Sequence, residues 1–218
     1  MRKILILVEG QTEEMFVKKV LNTDLEQFDR YAVPIIIATK KVKRGNQFRG
    51  GVPHYDRVKL QIQRLLNDTS AALVTTFIDY YALPDSFPGK SSLQGTTPTA
   101  RVQYLEQAIQ TDINNSKFTP YYSLHEFEAL LFSVPEEIAQ SLTSPSHSLA
   151  LQRIRQGFPS PEDINDNPHT CPSARIRGLF PTYQKPLHGS LISQRIGIYR
   201  IRSACTHFHE WLLRLEAV

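Results

Sequence analysis

Cysteine is scarce in this chain: Cys171 and Cys205 are the only two among 218 residues. Two cysteines exclude a disulfide framework and any cysteine-based zinc cluster, and they suit a reducing compartment. Long apolar runs are missing too. Ile4-Leu5-Ile6-Leu7-Val8 follows Arg2 and Lys3 but stops at Glu9-Gly10. That is too short for the apolar region of a signal peptide, and no stretch approaches the ~18 residues that span a bilayer. A glycine-rich phosphate loop of the Walker or Rossmann kind is absent as well, which argues against ATP or NAD binding by this chain. The chain reads as a soluble, cytoplasmic protein.

Acids are unevenly missing. The balance of 25 Lys+Arg against 21 Asp+Glu gives a mild net +4. Between Lys40 and Arg64, however, eight cations accompany a single acid, Asp56. From His169 through His209 there is no acid at all, against six Lys/Arg and four His. Such segregation sets a basic rim beside an acidic site and suits a polyanionic substrate. It is equally the pattern of solvated faces on unrelated elements.

What is present is ordinary globular material: 41% hydrophobic and 21% charged residues, on a length that implies about one domain. Lys3–Val8 is a β-rich apolar run, the pattern of a strand buried on both faces of a parallel sheet. Thr12 then caps a helix carrying Phe16, Val17, Val20, Leu21 and Leu25 on one face. A second strand is expected over Ala32–Ala38, a basic loop over Lys40–Pro53 and a helix over His54–Asn67. Ala71–Ile78 reads as a third strand ending at Asp79. A loop over Pro84–Thr97 leads to a helix with Pro98 at its first position. A short fourth strand, Pro120–Leu124, runs into His125-Glu126-Phe127-Glu128, with both glutamates in a first helical turn.

Beyond Ser133 the pattern is helical: Pro135–Leu142, Leu149–Gln156, Ser173–Leu179 and a last helix over Ile198–Leu215. The expectation is one α/β domain over residues 1–218. A mostly parallel sheet with flanking helices fills 1–132, and a helical portion, 133–218, packs on it.

Open α/β sheets bind ligands beyond the carboxyl ends of their strands. Glu9 follows strand one, Glu13 lies four residues on, Asp79 ends strand three, and Glu126 and Glu128 follow strand four. Carboxylates converging on one sheet edge repel one another unless a cation sits among them, and Mg²⁺ or Mn²⁺ prefers such oxygen ligands. Beside basic loops, the matching chemistry is phosphodiester hydrolysis. Singly, each acid also suits a helix cap or an ion pair. His125 suits a ligand, a base or a backbone partner. Tyr121, Tyr122 and Trp211 suit base stacking or core packing, and Asn165-Asp166-Asn167-Pro168 reads as a turn.

VEGQTEE, directly after the first strand, resembles the opening motif of Toprim-type nucleases of the overlapping-lysogenisation-defect (OLD) class. VEGQTEE, FIDYYALP, HEFEALLFS, NPHTCPSARI, PTYQKPLHG and CTHFHEWLLRLE, in that order, resemble a bacterial domain-of-unknown-function family regarded as Toprim-like. The resemblance implies a Toprim-like α/β fold and a Mg²⁺ or Mn²⁺ site held by Glu9, Glu13, Asp79, Glu126 and Glu128. It also implies anti-phage defence work beside an ABC-type ATPase subunit. Lys185, in the Tyr-Gln-Lys-Pro segment, matches a lysine that stabilises the pentavalent phosphate. One departure stands out: the second acid of the family's Asp-x-Asp is Tyr81 here. A phenol is a poor hard-metal ligand at neutral pH, so Glu126 or Asp85 replaces it, or one metal is bound, or catalysis is lost.

The expected function is therefore a divalent-metal-dependent phosphodiesterase or nuclease acting on DNA or RNA. Glu9, Asp79 and Lys185 would be catalytic, and Lys40, Lys41, Lys43, Arg44, Arg49, Arg175 and Arg177 would contact the polyanion. The first alternative is a non-catalytic partner module of an ATPase that binds nucleic acid or nucleotide. The second is a small-molecule phosphatase or phosphotransferase using the same acids.

Overall fold

The structure, a computed structural model, describes residues 1–38, 51–81, 83–164 and 167–218. Strand β1 (Arg2–Val8) lies between β2 (Arg30–Ile36) and β3 (Ala71–Asp79). The sheet continues through β4 (Phe118–Thr119) in the order β2-β1-β3-β4, and β5 (Tyr122–Ser123) extends the same edge of β3. Every pairing is parallel. A parallel sheet flanked by helices is the architecture the alternating pattern calls for.

Both faces of β1 are buried, as its unbroken apolar run requires. Ile4, Ile6 and Val8 join one cluster with Phe16, Phe127, Phe208 and Trp211, while Leu5 and Leu7 join another with Val58, Ile62, Val102 and Ile109. The first face is covered by α1 (Gln11–Phe16), its continuation to Leu25 and the helices beyond Ser133. The second is covered by α3 (Tyr55–Leu66) and α4 (Pro98–Ile113). The C-terminal portion thus shares its core with the sheet. Pro34, which has no N–H, sits on the edge strand β2, where a missing ladder donor is tolerated.

The helix after Gly10 is α-helical at its ends only. Val17–Leu21 winds as a π segment before α2 (Asn22–Leu25). Helix α4 starts where the sequence places it: Pro98 is its first residue and Thr97 Oγ1 accepts the Ala100 N–H at 3.2 Å. HEFEALLF departs from expectation, forming a 3₁₀ segment over Phe127–Ser133 rather than an α-helical turn. It is entered through His125, a buried residue in the left-handed region (φ 63°).

Downstream come α5 (Pro135–Ser141), α6 (Ser148–Gln156), α7 (Pro172–Leu179), a π segment Lys185–Gly189 and α8 (Ser190–Ile196). The expected last helix is in fact two, α9 (Ile198–Ala204) and α10 (Thr206–Glu216), separated by an extended Cys205. The cause lies 45 residues upstream. The buried Glu162 carboxylate accepts the N–H groups of His207 (2.9 Å) and Phe208 (3.0 Å), serving as a remote N-cap for α10. From α10, Trp211 Nε1 donates to Thr75 Oγ1 at 2.9 Å and its ring stacks on Tyr121 at 4.5 Å, so both aromatics are core residues.

Removing the Glu162 carboxylate strands two buried N–H groups, each worth about 1–3 kcal/mol when unsatisfied. Glu162→Ala is expected to lower unfolding free energy by about 3 kcal/mol in urea titrations, and Glu162→Gln, which keeps one acceptor, by less. Equal stability of all three proteins would show that the cap contributes nothing.

Candidate functional site

The chain leaves β1 for β2 on one side, and β3 lies on the other side of β1. Their carboxyl ends therefore border the crevice where open α/β sheets receive ligands. The β1–β3 register pairs Val8 with Phe77, which brings Glu9 beside the end of β3. Glu9 Oε2 accepts the Asp79 N–H at 3.4 Å. Glu13, one helical turn on, bends back so that its Oε2 accepts the Gly10 N–H at 3.0 Å.

Asp79 is pinned from two directions. Its Oδ1 accepts the Phe127 N–H at 2.9 Å, tying β3 to the 3₁₀ segment, and its Oδ2 lies 3.0 Å from Lys185 Nζ. Lys185 Nζ is also 3.0 Å from Glu128 Oε2, and Tyr183 OH donates to Glu128 Oε1 at 3.3 Å. The segment that carries Lys185 is seated by Gly189: a Cβ there would come within 3.1 Å of Thr12 Cγ2 and 3.3 Å of Phe127 Cε1. A side chain at 189 would require these neighbours to shift by a few tenths of an ångström.

The electrostatics follow from burial. Glu13, Asp79 and Glu128 are buried, and Glu9 is half-buried. Burial, then the charges of Asp79 and Glu13, push Glu9 up to about 8. Burial and Asp79 push Glu13 up to about 7. Asp79 and Glu128 are also held above the usual carboxylate range by burial, which the Lys185 ammonium only partly offsets. Burial works against the charge on Lys185, but Asp79, Glu128 and Glu13 more than reverse it and hold that ammonium well above its ordinary value. Burial and the Glu128 charge keep the Tyr183 phenol protonated, hence a donor.

Of the acids expected from sequence, Glu9, Glu13, Asp79 and Glu128 thus share one electrostatic neighbourhood with Lys185. Glu126 also lies close enough for its charge to raise Asp79 and Glu128, but its oxygens are engaged by the Ser173 N–H and Oγ–H, both at 2.9 Å, capping α7. Tyr81 is exposed, with its N–H on the His125 carbonyl at 3.0 Å, and Asp85 is exposed. His125 is buried, its ring beside Tyr80. Tyr183 was not singled out by the sequence reading, although it lies two residues before Lys185 in the same motif.

The cations are placed less simply. Arg177 donates to Ser173 Oγ at 3.0 Å, and Arg175 donates to the Thr170 carbonyl while lying over the Phe158 ring. Lys40, Lys41, Lys43, Arg44 and Arg49 lie outside the described residues, as do Asn165 and Asp166 of the expected turn.

Among the described residues, no three Asp, Glu, His or Cys side chains already stand as a metal cage. The donor set still fits a hard divalent ion. Four carboxylate side chains, the oxygen donors such an ion prefers, lie around one ammonium, and burial foremost holds all four above the usual carboxylate range.

An acid whose folded pKa is raised binds its proton more tightly in the folded state. The stability it removes is absent below its unfolded value, 4.5 for Glu9, and fully removed above about 8. In metal-free protein, Glu9→Gln should therefore gain thermal stability over the wild type as pH rises from 5 to 8. A difference in Tm that stays constant across that range would contradict the assignment.

Similarity to solved structures is low in sequence and spans nearly the whole chain. The C-terminal region of the Burkholderia pseudomallei OLD protein shares 15% identity at a TM-score of 0.47, over 99% of this chain and 97% of that one. The C-terminal region of the Xanthomonas campestris pv. campestris OLD protein shares 18% at a TM-score of 0.42, over 98% and 94%. No curated protein matches the chain. The family is settled by sequence over residues 8–216: the chain belongs to the family described as a domain of unknown function, DUF4276.

Proposed function

We propose that this protein is a divalent-metal-dependent phosphodiesterase of Toprim-like type, acting as a nuclease on DNA or RNA. The observation that carries the reading is the under-neutralised cluster of Glu9, Glu13, Asp79 and Glu128 around Lys185, at the carboxyl edge of a parallel sheet. Mg²⁺ or Mn²⁺ held by Asp79, Glu128 and Glu9, with Glu13 beside them, would polarise a phosphoryl oxygen and acidify a water.

The chain's own groups do the rest. Phe127 N–H and Tyr183 OH fix the rotamers of Asp79 and Glu128, so the acids need no reorganisation when a ligand arrives. Lys185, whose ammonium Asp79, Glu128 and Glu13 hold well above its ordinary value, would bring positive charge to the phosphate once freed from them. The ABC-type ATPase partner and the role in defence implied by the resemblance belong to the same proposal.

Two observations favour the non-catalytic alternative: Tyr81, an exposed phenol, stands where a second aspartate is expected, and no metal cage is preformed among the described residues. Calorimetric titration with Mn²⁺, followed by incubation with plasmid and total RNA, separates the two readings. The nuclease reading expects Mn²⁺ binding that weakens at least about tenfold in Asp79→Asn, or about 1.4 kcal/mol, with metal-dependent cleavage lost in parallel. Wild-type protein that binds no Mn²⁺ leaves only the interaction module.

A further inference from the structure

Two of the sheet-edge acids are each held twice, once by Lys185 and once by a second donor. Asp79 gives Oδ1 to the Phe127 backbone and Oδ2 to Lys185. Glu128 gives Oε1 to Tyr183 and Oε2 to Lys185. If Lys185 withdrew, both carboxylates would stay in place on their other partners. The oxygens set free, Asp79 Oδ2 and Glu128 Oε2, are the pair that a cation between these acids would need.

We propose that the Lys185 ammonium is the resident counter-ion of this centre, and that it must leave before a divalent ion is held by Asp79 and Glu128. This rests on the metal reading above and adds to it a competition. A divalent ion set on the two oxygens that Lys185 already holds at 3.0 Å would repel the ammonium at close range. Geometry provides the exit. The Lys185 side chain is 32% exposed, whereas those of Asp79 and Glu128 are 7% and 0% exposed, so of the three it is the lysine stem that reaches solvent. Gly189, wedged against Thr12 and Phe127, anchors the far end of the Lys185–Gly189 segment, which leaves the flexible four-carbon stem as the part that moves.

The exchange has a functional consequence. A lysine bound to its own carboxylates has no charge left for a phosphate. The same lysine, displaced toward solvent at the mouth of the site, meets the anion as it arrives. Filling the centre would therefore switch Lys185 from internal counter-ion to substrate contact, and polyanion affinity would depend on the metal.

The test is Mn²⁺ titration of the wild type, Lys185→Met and Lys185→Arg by calorimetry, with metal-free Tm measured alongside. Lys185→Met should bind Mn²⁺ at least about tenfold more tightly and melt lower without metal, while Lys185→Arg should bind no more tightly than the wild type. A second readout needs no variant: amine acetylation of the wild type, read by peptide mass spectrometry against Lys18 and Lys59. Lys185 should react slowly without Mn²⁺ and several-fold faster at saturation. Equal or weaker Mn²⁺ binding by Lys185→Met, or Lys185 acetylation unchanged by bound Mn²⁺, overturns the exchange while leaving the metal reading intact. Failure of all three proteins to bind Mn²⁺ overturns both.

Discussion

The structure depends on how it accommodates carboxylates buried beside one another. A charged acid without a partner is too costly to bury, so each must find donors, a counter-charge or a proton. Lys185 is the main answer at the sheet edge, and it comes from 106 residues beyond Asp79. That ion pair fixes the C-terminal helical portion to the carboxyl end of β3. The apolar cluster around Phe16, Phe127 and Phe208 does the same from beneath.

Elsewhere the chain answers the same constraint differently, and the contrast is informative. Glu126 caps α7 through Ser173, and Glu162 caps α10 through His207 and Phe208. Glu106 accepts the Tyr122 N–H at 2.9 Å and pairs with His207 Nε2 at 3.0 Å; burial opposes the imidazolium there, yet the Glu106 hydrogen bond and charge raise its pKa. Each of these glutamates has backbone or ring donors built around it. At the sheet edge, Glu9 has a single long hydrogen bond and is pushed up to about 8 by burial and its acidic neighbours, with the similarly shifted Glu13 beside it. Where three internal glutamates are capped by donors built around them, this cluster sets four acids about one ammonium, which is why the proposal places its binding centre there.

Much of this was legible in the sequence where a pattern has a local cause. The unbroken apolar run of β1, the proline that opens α4 and the acids after β1 and β3 all act within a few residues of themselves. What escaped the sequence was set from a distance. Cys205 carries no breaking signal, and α9 and α10 separate there because Glu162 supplies the first-turn acceptors of α10. The entry into the 3₁₀ segment Phe127–Ser133 is set by Asp79 holding the Phe127 N–H and by the left-handed His125 before it. Glu126 and Glu128 look interchangeable in HEFEALLF, yet the strand-like Glu126 backbone turns its side chain to α7, and Glu128, inside the segment, faces Lys185.

Charge segregation was the least reliable guide, for a physical reason. The acid-free stretch from His169 to His209 looks like a basic face, but folding interleaves it with acids from either side of it in the chain. Arg195 and Arg200 pair with Glu137, Arg202 with Glu216, and Lys185 with Asp79 and Glu128. Arg175 and Arg177 bond to Thr170 and Ser173. A stretch of one sign can be stitching as easily as surface: opposite charges far apart in sequence attract, and helices that carry them dock where those charges meet. Lys59 of the earlier basic stretch is likewise paired, with Asp112 at 2.9 Å. The polyanion contact proposed for this protein therefore rests mainly on the run from Lys40 to Arg49 and on Lys185. The latter can take part only after exchanging its own carboxylates for the phosphate.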